Sequence, residues 1–86
     1  MTDLPIPARQ FFKDFSFDLD SFLVKRTGIT LDGLTNKDEE GHHVAFLYGC
    51  DIQVGDVIVS GSKHYVVNRI EVDGFNGQPD MAKAYY

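Results

Sequence analysis

The sequence has little that would cross-link a small domain or carry it into a membrane. It contains a single cysteine, Cys50, so no internal disulfide can form. Its N-terminus has no basic region followed by an apolar stretch, and no apolar run approaches the roughly 20 residues that a membrane-spanning helix needs. We therefore predict a soluble domain, made in a reducing compartment such as the cytoplasm, whose fold depends on packing alone.

Basic residues are also few. Eight Lys and Arg stand against thirteen Asp and Glu, which gives a net charge of −5, and they form no cluster larger than the pair Lys25-Arg26. Binding to nucleic acid draws much of its affinity from basic patches that displace counterions from the phosphates. The composition therefore predicts no specific nucleic-acid partner.

The side chains that could carry chemistry do not form a recognisable site. His42 and His43 are adjacent, so on a strand they point to opposite faces and cannot share a metal ion. Cys50 has no neighbouring base, and the following Asp51 should raise its pKa. We predict no catalytic, cofactor-binding or metal-binding residues, no cofactor and no small-molecule substrate, and thus a protein that is not an enzyme.

Apolar residues make up 43% of the chain, enough for one domain that spans residues 1–86. Residues 1–6 are expected to be an irregular lead-in. Pro7 is suited to the first position of a helix, and Phe11, Phe12 and Phe15 follow at helical spacing, so a short helix is predicted from Ala8 to about Asp14. The rest of the chain has the character of strands and turns.

The clearest strand signal is a predicted hairpin in which Gly61-Ser62 is the two-residue turn. It places Val57 opposite Val66 and Val59 opposite His64, with apolar residues on both faces of the hairpin. We expect both faces to be covered, as in a small SH3-like or partly open β-barrel. The predicted strands are residues 20–27, 42–48, 57–60, 63 to about 72, and 81–86.

Two turn-rich stretches separate these strands. Residues 28–41 contain three glycines and a polar run, which predicts a long, flexible, exposed loop. Residues 73–80 are predicted to be a second loop with an aromatic residue at its tip. Because contact residues concentrate on such loops, the predicted partner contacts are Thr35, Lys37, Asp38, Glu39, Glu40, Phe75 and Asn76.

The stretch from Tyr48 to Ile70 carries two short motifs. Ile52-Gln-Val-Gly55-Asp56-Val-Ile58 has the form I-x-x-G-D-x-I, and after the hairpin Tyr65-Val-Val67-Asn-Arg-Ile70 has the form Y-x-V-x-x-I. This combination resembles the small β-barrel head–tail joining proteins of tailed bacteriophages and prophages, which include stopper, neck and tail-completion proteins. The resemblance covers roughly residues 42–86.

The resemblance implies a non-enzymatic structural protein that joins head to tail in the virion and associates with itself in a ring. Its partners would be the portal-side adaptor and tail proteins, and it would be made in the host cytoplasm before it enters the virion. The 28–41 loop would reorganise on assembly, and the 73–80 loop would contact a neighbour. The alternative is a generic SH3-like protein- or peptide-binding module that uses Tyr48, Tyr65, Phe75, Tyr85 and Tyr86.

Overall fold

A computed structural model describes residues 2–86 of the protein. The chain forms one curled sheet in the order β1-β7-β8-β4-β3-β2-β5-β6, antiparallel except between β1 and β7. This confirms the prediction of a mostly β, partly open barrel with a short N-terminal helix. The elements are β1 (Thr2–Asp3), α1 (Ala8–Asp14), a 3₁₀ turn (Ser16–Asp18), β2 (Asp20–Val24), β3 (Ile29–Asp38), β4 (Gly41–Leu47), β5 (Val57–Ser60), β6 (Lys63–Val66), β7 (Arg69–Phe75) and β8 (Gln78–Tyr85).

The main core lies inside the curl of the sheet. Phe22 and Val24 on β2 are fully buried, while Leu23 between them is 37% exposed on the outer face. The rings of Phe22 and Phe46 meet edge to face with their centroids 5.8 Å apart. Complete burial of such a side chain contributes about 1.5–3 kcal/mol to folding. The other members of this core are Val44, Ile58, Val67 and Ala84.

Helix α1 covers part of the outer face of the sheet. It begins at Ala8, directly after Pro7, and Ala8 and Phe12 are its buried residues. They pack with Leu34, Ala45 and Met81, which project outward from the sheet and form a second, smaller core.

The predicted irregular lead-in at residues 1–6 is corrected at its start. Thr2–Asp3 pairs in parallel with Asp73–Gly74 on β7, and the N–H of Leu4 donates to the carbonyl of Gly74 at 2.6 Å. Pro5 and Pro7 do not prevent this pairing because both follow the paired segment. The lead-in therefore ties the N-terminus to the barrel.

The predicted flexible loop at 28–41 is wrong. Most of the segment is the ten-residue strand β3, which pairs with β2 over residues 29–33 and with β4 over residues 34–38. Its glycine at position 33 is not a turn residue. A Cβ there would come within 2.6 Å of Val44 and 2.8 Å of Phe46. The glycine therefore marks close packing across the core, and only Gly28, at the end of the β2–β3 turn, and Glu39-Glu40 remain as turn residues.

The single strand predicted over 63–72 is instead two strands joined by Val67-Asn68. The N–H of Val67 donates to the carbonyl of Asp56 at 2.9 Å, whereas the N–H of Asn68 donates to the carbonyl of Tyr85 at 2.7 Å. The chain thus changes its hydrogen-bonding partner between two consecutive residues. This change transfers it from the β5 side of the sheet to the β8 side.

The predicted loop at 73–80 is also wrong. β7 and β8 continue to Phe75 and Gln78, which face each other across the tight turn Asn76-Gly77. Both turn residues have positive φ, 53° and 76°. An Asn-Gly pair favours this type I′ geometry, because its twist matches that of the flanking strands.

The predicted register of the β5–β6 hairpin is confirmed, with Val57 opposite Val66 and Val59 opposite His64. The expectation that both of its faces are covered is wrong. Ile58 is fully buried on the inner face, but Val66 on the outer face is 53% exposed. Helix α1 covers the outer face of the sheet elsewhere, where it packs on Leu34, Ala45 and Met81 and not on β5 or β6.

The Gly55-Asp56 pair organises the turn that leads into β5. Gly55 has a φ of 93°, and the buried carboxylate of Asp56 accepts the N–H of Gln53 at 2.8 Å. The same carboxylate accepts from Nε of Arg26 at 2.8 Å, which ties the turn to the end of β2. The side chain of Arg26 also contacts the exposed Asp51 at 3.0 Å.

We expect Gly33→Ala to destabilise the fold by about 1–3 kcal/mol, because the new methyl group must displace packed core side chains. Urea unfolding measures this change in the free energy of unfolding. Thr30→Ala on the same strand is exposed and is the control, with an expected change of a few tenths of a kcal/mol. Equal stability of Gly33→Ala and Thr30→Ala would contradict the close packing at position 33.

We expect Asp56→Ala to lower the free energy of unfolding by about 2–3 kcal/mol at neutral pH, because it removes charge-assisted hydrogen bonds at a buried site. Asp51→Ala, whose side chain is 59% exposed, is the matched control and should cost much less.

The Arg26 hydrogen bond holds the pKa of Asp56 below its usual range. The stability that this carboxylate contributes is therefore present above pH about 4 and is lost as the pH falls through the lowered value. Urea unfolding between neutral and acid pH should show a shallower loss in Asp56→Ala than in the wild type. An identical pH dependence would contradict the assignment.

Candidate functional site

The predicted contact residues do not form one surface. Asp38 to Glu40 form the end of the β3–β4 hairpin, and Glu40 reaches Arg69 on β7 at 3.1 Å. Phe75 lies six residues further along β7, about 20 Å away at the rise of a strand, and Asn76 follows it in the β7–β8 turn. The tip of the β3–β4 hairpin and the β7–β8 turn therefore lie at opposite ends of the sheet.

Both carboxylate oxygens of Asp38 accept hydrogen bonds from within the protein. One of its oxygens accepts the Tyr85 hydroxyl at 2.6 Å, and the other accepts the N–H of Glu40 at 2.8 Å. The Tyr85 hydrogen bond is the main cause of a lowered pKa at Asp38. Lys83 lies 3.7 Å from Asp38 and 3.1 Å from Asp73. These contacts give Asp38 a structural role in joining β3 to β8.

The tip of this hairpin keeps unneutralised negative charge. Glu39 is exposed, and Glu40 shares Arg69 with Glu71, which lies 3.8 Å from the guanidinium. A hydrogen bond and charge repulsion from Glu71 raise the pKa of Glu40. The tip is therefore an acidic surface on the β7 side of the sheet.

Thr35 and Lys37 instead border a groove at the open end of the barrel. Three rings form its wall: Tyr65 and Tyr86 have centroids 4.3 Å apart, and His42 stacks on Tyr86 at 6.1 Å. We call this the aromatic groove. Its volume is about 650 Å³, and its remaining lining includes Lys63, Asp20 and the β5–β6 turn.

A second exposed surface is the outer face of the β5–β6 hairpin with its neighbour on β2. Leu23 lies opposite Val59, and Val57 lies opposite Val66, so the four side chains share one face. Leu23 and Val66 are 37% and 53% exposed, and the other two are partly exposed. We call these four residues the hairpin face.

A second groove, of about 600 Å³, lies beside α1 on the outer face of the sheet. His43 lies at its floor with 4% exposure, and its Nδ1 atom has no hydrogen-bond partner among the residues described. The closest carboxylate oxygen, on Asp38, is 3.7 Å away. Burial lowers the pKa of His43, and the charge of Asp38 opposes this shift.

Other reactive groups are spread over the fold. Within residues 2–86 no group of three or more His, Cys, Asp or Glu side chains is placed to hold a metal ion. Burial, with a smaller effect of Asp51, raises the pKa of the Cys50 thiol and so disfavours its thiolate form. The one helix described is too short and too polar to span a membrane.

Comparison of the chain with protein-family models, with curated protein sequences and with solved structures finds no significant match. The surfaces of the molecule are therefore the basis for any functional conclusion.

Sequence reasoning named two members of the aromatic groove, Tyr65 and Tyr86, among the contacts of a peptide-binding module. It grouped them with Tyr85, which is buried on the opposite face of β8. The signal that separates the two neighbouring tyrosines is the alternation of side chains at the end of β8, which puts Tyr85 and Tyr86 on opposite faces. The hairpin face has no such signal, because apolar residues on both sides of a strand predict burial on both sides.

We expect His43 to make the fold less stable in mild acid. Its pKa is lower in the folded chain than in the unfolded chain, so the unfolded state binds the proton first. Its contribution is therefore complete above pH about 6.5 and falls as the pH drops toward the lowered value. Urea unfolding at about pH 7.5 and about pH 5.5 measures the difference.

His43→Gln should show a smaller loss of stability between these two pH values than the wild type. The adjacent His42 provides the matched control, because His42→Gln makes the same chemical change at an exposed position. A reduced dependence in His42→Gln and an unchanged one in His43→Gln would contradict the assignment.

Proposed function

We propose that this chain is a non-enzymatic structural assembly protein of a tailed phage or prophage, which joins head to tail by protein–protein contacts and associates with itself in a ring. Its proposed partners are the portal-side adaptor and tail proteins. It would be made in the host cytoplasm and would then become part of the virion. Such a role needs contact surfaces and no reactive centre.

The hairpin face is the observation that carries this proposal. Leu23, Val57, Val59 and Val66 form a continuous apolar surface in a protein of only 86 residues. Exposed apolar patches rimmed by polar residues mark protein contacts, because covering them releases water from the apolar surface. Three of the four residues lie within the stretch 48–70 that resembles head–tail joining proteins.

The mechanism suggested by the resemblance changes in one respect. The first half of β3 pairs with β2 and its second half pairs with β4, so the 28–41 segment cannot reorganise without breaking two strand pairings. We therefore propose that assembly uses preformed surfaces: the hairpin face at one end of the sheet and the acidic tip, Glu39 and Glu40, near β7. Their different chemistry allows one copy to meet two different neighbours.

A peptide-binding module remains the second candidate function. It is supported by the aromatic groove, where Tyr65, Tyr86 and His42 present ring surfaces at an open end of the barrel. Aromatic side chains offer a large contact area with few rotatable bonds, which suits recognition of a peptide.

The head–tail proposal is tested by affinity capture from cells of the source strain after prophage induction. The bait is the protein with an N-terminal tag, and mass spectrometry identifies what it retains. We expect portal, adaptor or tail proteins to be captured. Capture of host proteins alone, with virion proteins present in the same lysate, would contradict the proposal.

Substitutions show whether the hairpin face is the contact. Leu23→Asp with Val66→Asp places two charges on it at exposed positions and should abolish capture. Phe17→Asp is the control, because Phe17 is 100% exposed and lies on the 3₁₀ turn, outside the hairpin face. Circular dichroism confirms that each variant is folded. Equal capture by all three proteins would exclude the hairpin face.

A further inference from the structure

We propose that the free edge of β6, beside the aromatic groove, binds an extended acidic segment of a partner protein by strand addition. The inference rests on the proposed function and deepens it, because it specifies what a joining partner inserts. It brings together three features of the structure: an unpaired strand edge, a groove lined by aromatic rings, and two lysines without a counter-charge.

The first feature is the hydrogen bonding of β6. This strand pairs only with β5. Directly after β6, the N–H of Val67 donates to the carbonyl of Asp56, the residue before β5. Antiparallel pairing alternates between bonded and non-bonded pairs, so the N–H and C=O groups of His64 and Val66 point away from β5. Both residues are exposed, and neither backbone has another partner in the part of the chain described here. Four polar groups are thus available to an incoming strand.

The second feature is what an added strand would contact. A strand lies about 4.8 Å from its neighbour, and its side chains alternate between the two faces of the sheet. On the inner side they would meet Tyr65 and Tyr86 in the aromatic groove. On the outer side they would extend the hairpin face next to Val66. One extended segment would therefore use both surfaces.

The third feature is charge. Lys37 and Lys63 border the groove, and neither has a carboxylate within 4.0 Å among the residues described. Asp20 is the one carboxylate side chain that lines the groove. A local excess of positive charge in a protein of net charge −5 favours a segment that carries Glu or Asp.

The same charges argue against a second copy of β6 as the added strand. β6 carries Lys63 and His64 and no acidic residue, so pairing two copies would bring basic side chains together without compensation. A separate acidic segment satisfies both the hydrogen bonds and the charges. Self-association would then use a different surface from this edge.

The first experiment titrates the isotope-labelled protein with a peptide of alternating valine and glutamate and follows amide resonances by NMR. We expect the amides of His64 and Val66 to shift and their hydrogen exchange to slow. A peptide with lysine in place of glutamate should bind about tenfold more weakly, because its charges are repelled. Binding that leaves the β6 amides unaffected would overturn the proposal.

Two further measurements isolate the hydrogen bonds. The N–H of Val66 faces away from β5, where a proline can be tolerated at a strand edge. Val66→Pro should weaken peptide binding about tenfold, since it removes an intermolecular hydrogen bond, whereas Val66→Thr should retain binding. If Val66→Pro does not fold, the wild-type protein is tested instead with peptides that are N-methylated at every second residue. One of the two possible methylation patterns blocks the N–H groups that face β6, and that peptide should lose affinity. Equal binding of both patterns would overturn strand addition.

Charge is tested with Lys37→Glu and Lys63→Glu together, which should weaken binding of the acidic peptide about tenfold and improve binding of the lysine peptide. Lys25→Glu is the control, because Lys25 is exposed but does not line the groove. An equal loss of acidic-peptide binding in the control would show that the net charge of the protein causes the loss, and it would contradict a binding site at the groove.

The outcomes for this inference and for the head–tail role are separable. If virion proteins are captured equally by the wild type and by folded Val66→Pro, the joining role stands and strand addition falls. If the acidic peptide binds at β6 as described but no virion protein is captured from an induced lysate, strand addition stands and the head–tail role falls.

Discussion

The barrel depends on the point where one chain segment changes partner, between Val67 and Asn68. Up to Val67 the backbone bonds to the β5 side, and from Asn68 it bonds to the β8 side. The two ends of the sheet are thereby held together covalently, although β6 and β7 do not pair with each other. Val67 is also fully buried in the main core, so the change of partner is fixed by packing as well as by hydrogen bonds. The open groove and the free β6 edge result from the same change of partner, because β6 and β7 are consecutive but do not pair.

Local sequence determined the parts of the fold that depend on local geometry. The helix after Pro7 and the register of the β5–β6 hairpin follow from the helical spacing of phenylalanines and from the turn at Gly61-Ser62. β3 could not be predicted in this way, because its glycine and polar residues are those of a loop when they are considered without their neighbours. Gly33 is required by Val44 and Phe46, which are distant in sequence, and such a contact leaves no local signal. The Asn76-Gly77 turn was visible in the sequence as a hairpin signal.

The surfaces were less predictable than the fold for a related reason. A contact surface consists of side chains that no other element covers, and coverage depends on which elements pack against each face of the sheet. Val59 and Ile58 are neighbours with similar side chains, yet Ile58 is fully buried and Val59 is partly exposed. They point to opposite faces of β5, and the inner face is packed in the main core whereas the outer face is not covered. The Gly55-Asp56 motif contributes to the resemblance to head–tail joining proteins. The structure explains this motif by the Arg26 hydrogen bond and the turn that it closes, so the motif indicates this turn and not a particular function.

The contact between Tyr65 and Tyr86 also has a practical meaning for anyone who alters the C-terminal side of this chain. Tyr86 forms a wall of the aromatic groove, and its N–H donates to the carbonyl of His42 at 3.2 Å. Whatever is joined after Tyr86, whether a purification tag, a fluorescent label or further natural sequence, starts at the mouth of that groove. Such an extension would be held at high local concentration beside the β6 edge and could occupy it in cis. Fusions to this end would then act as competitors of the very ligands they are meant to report.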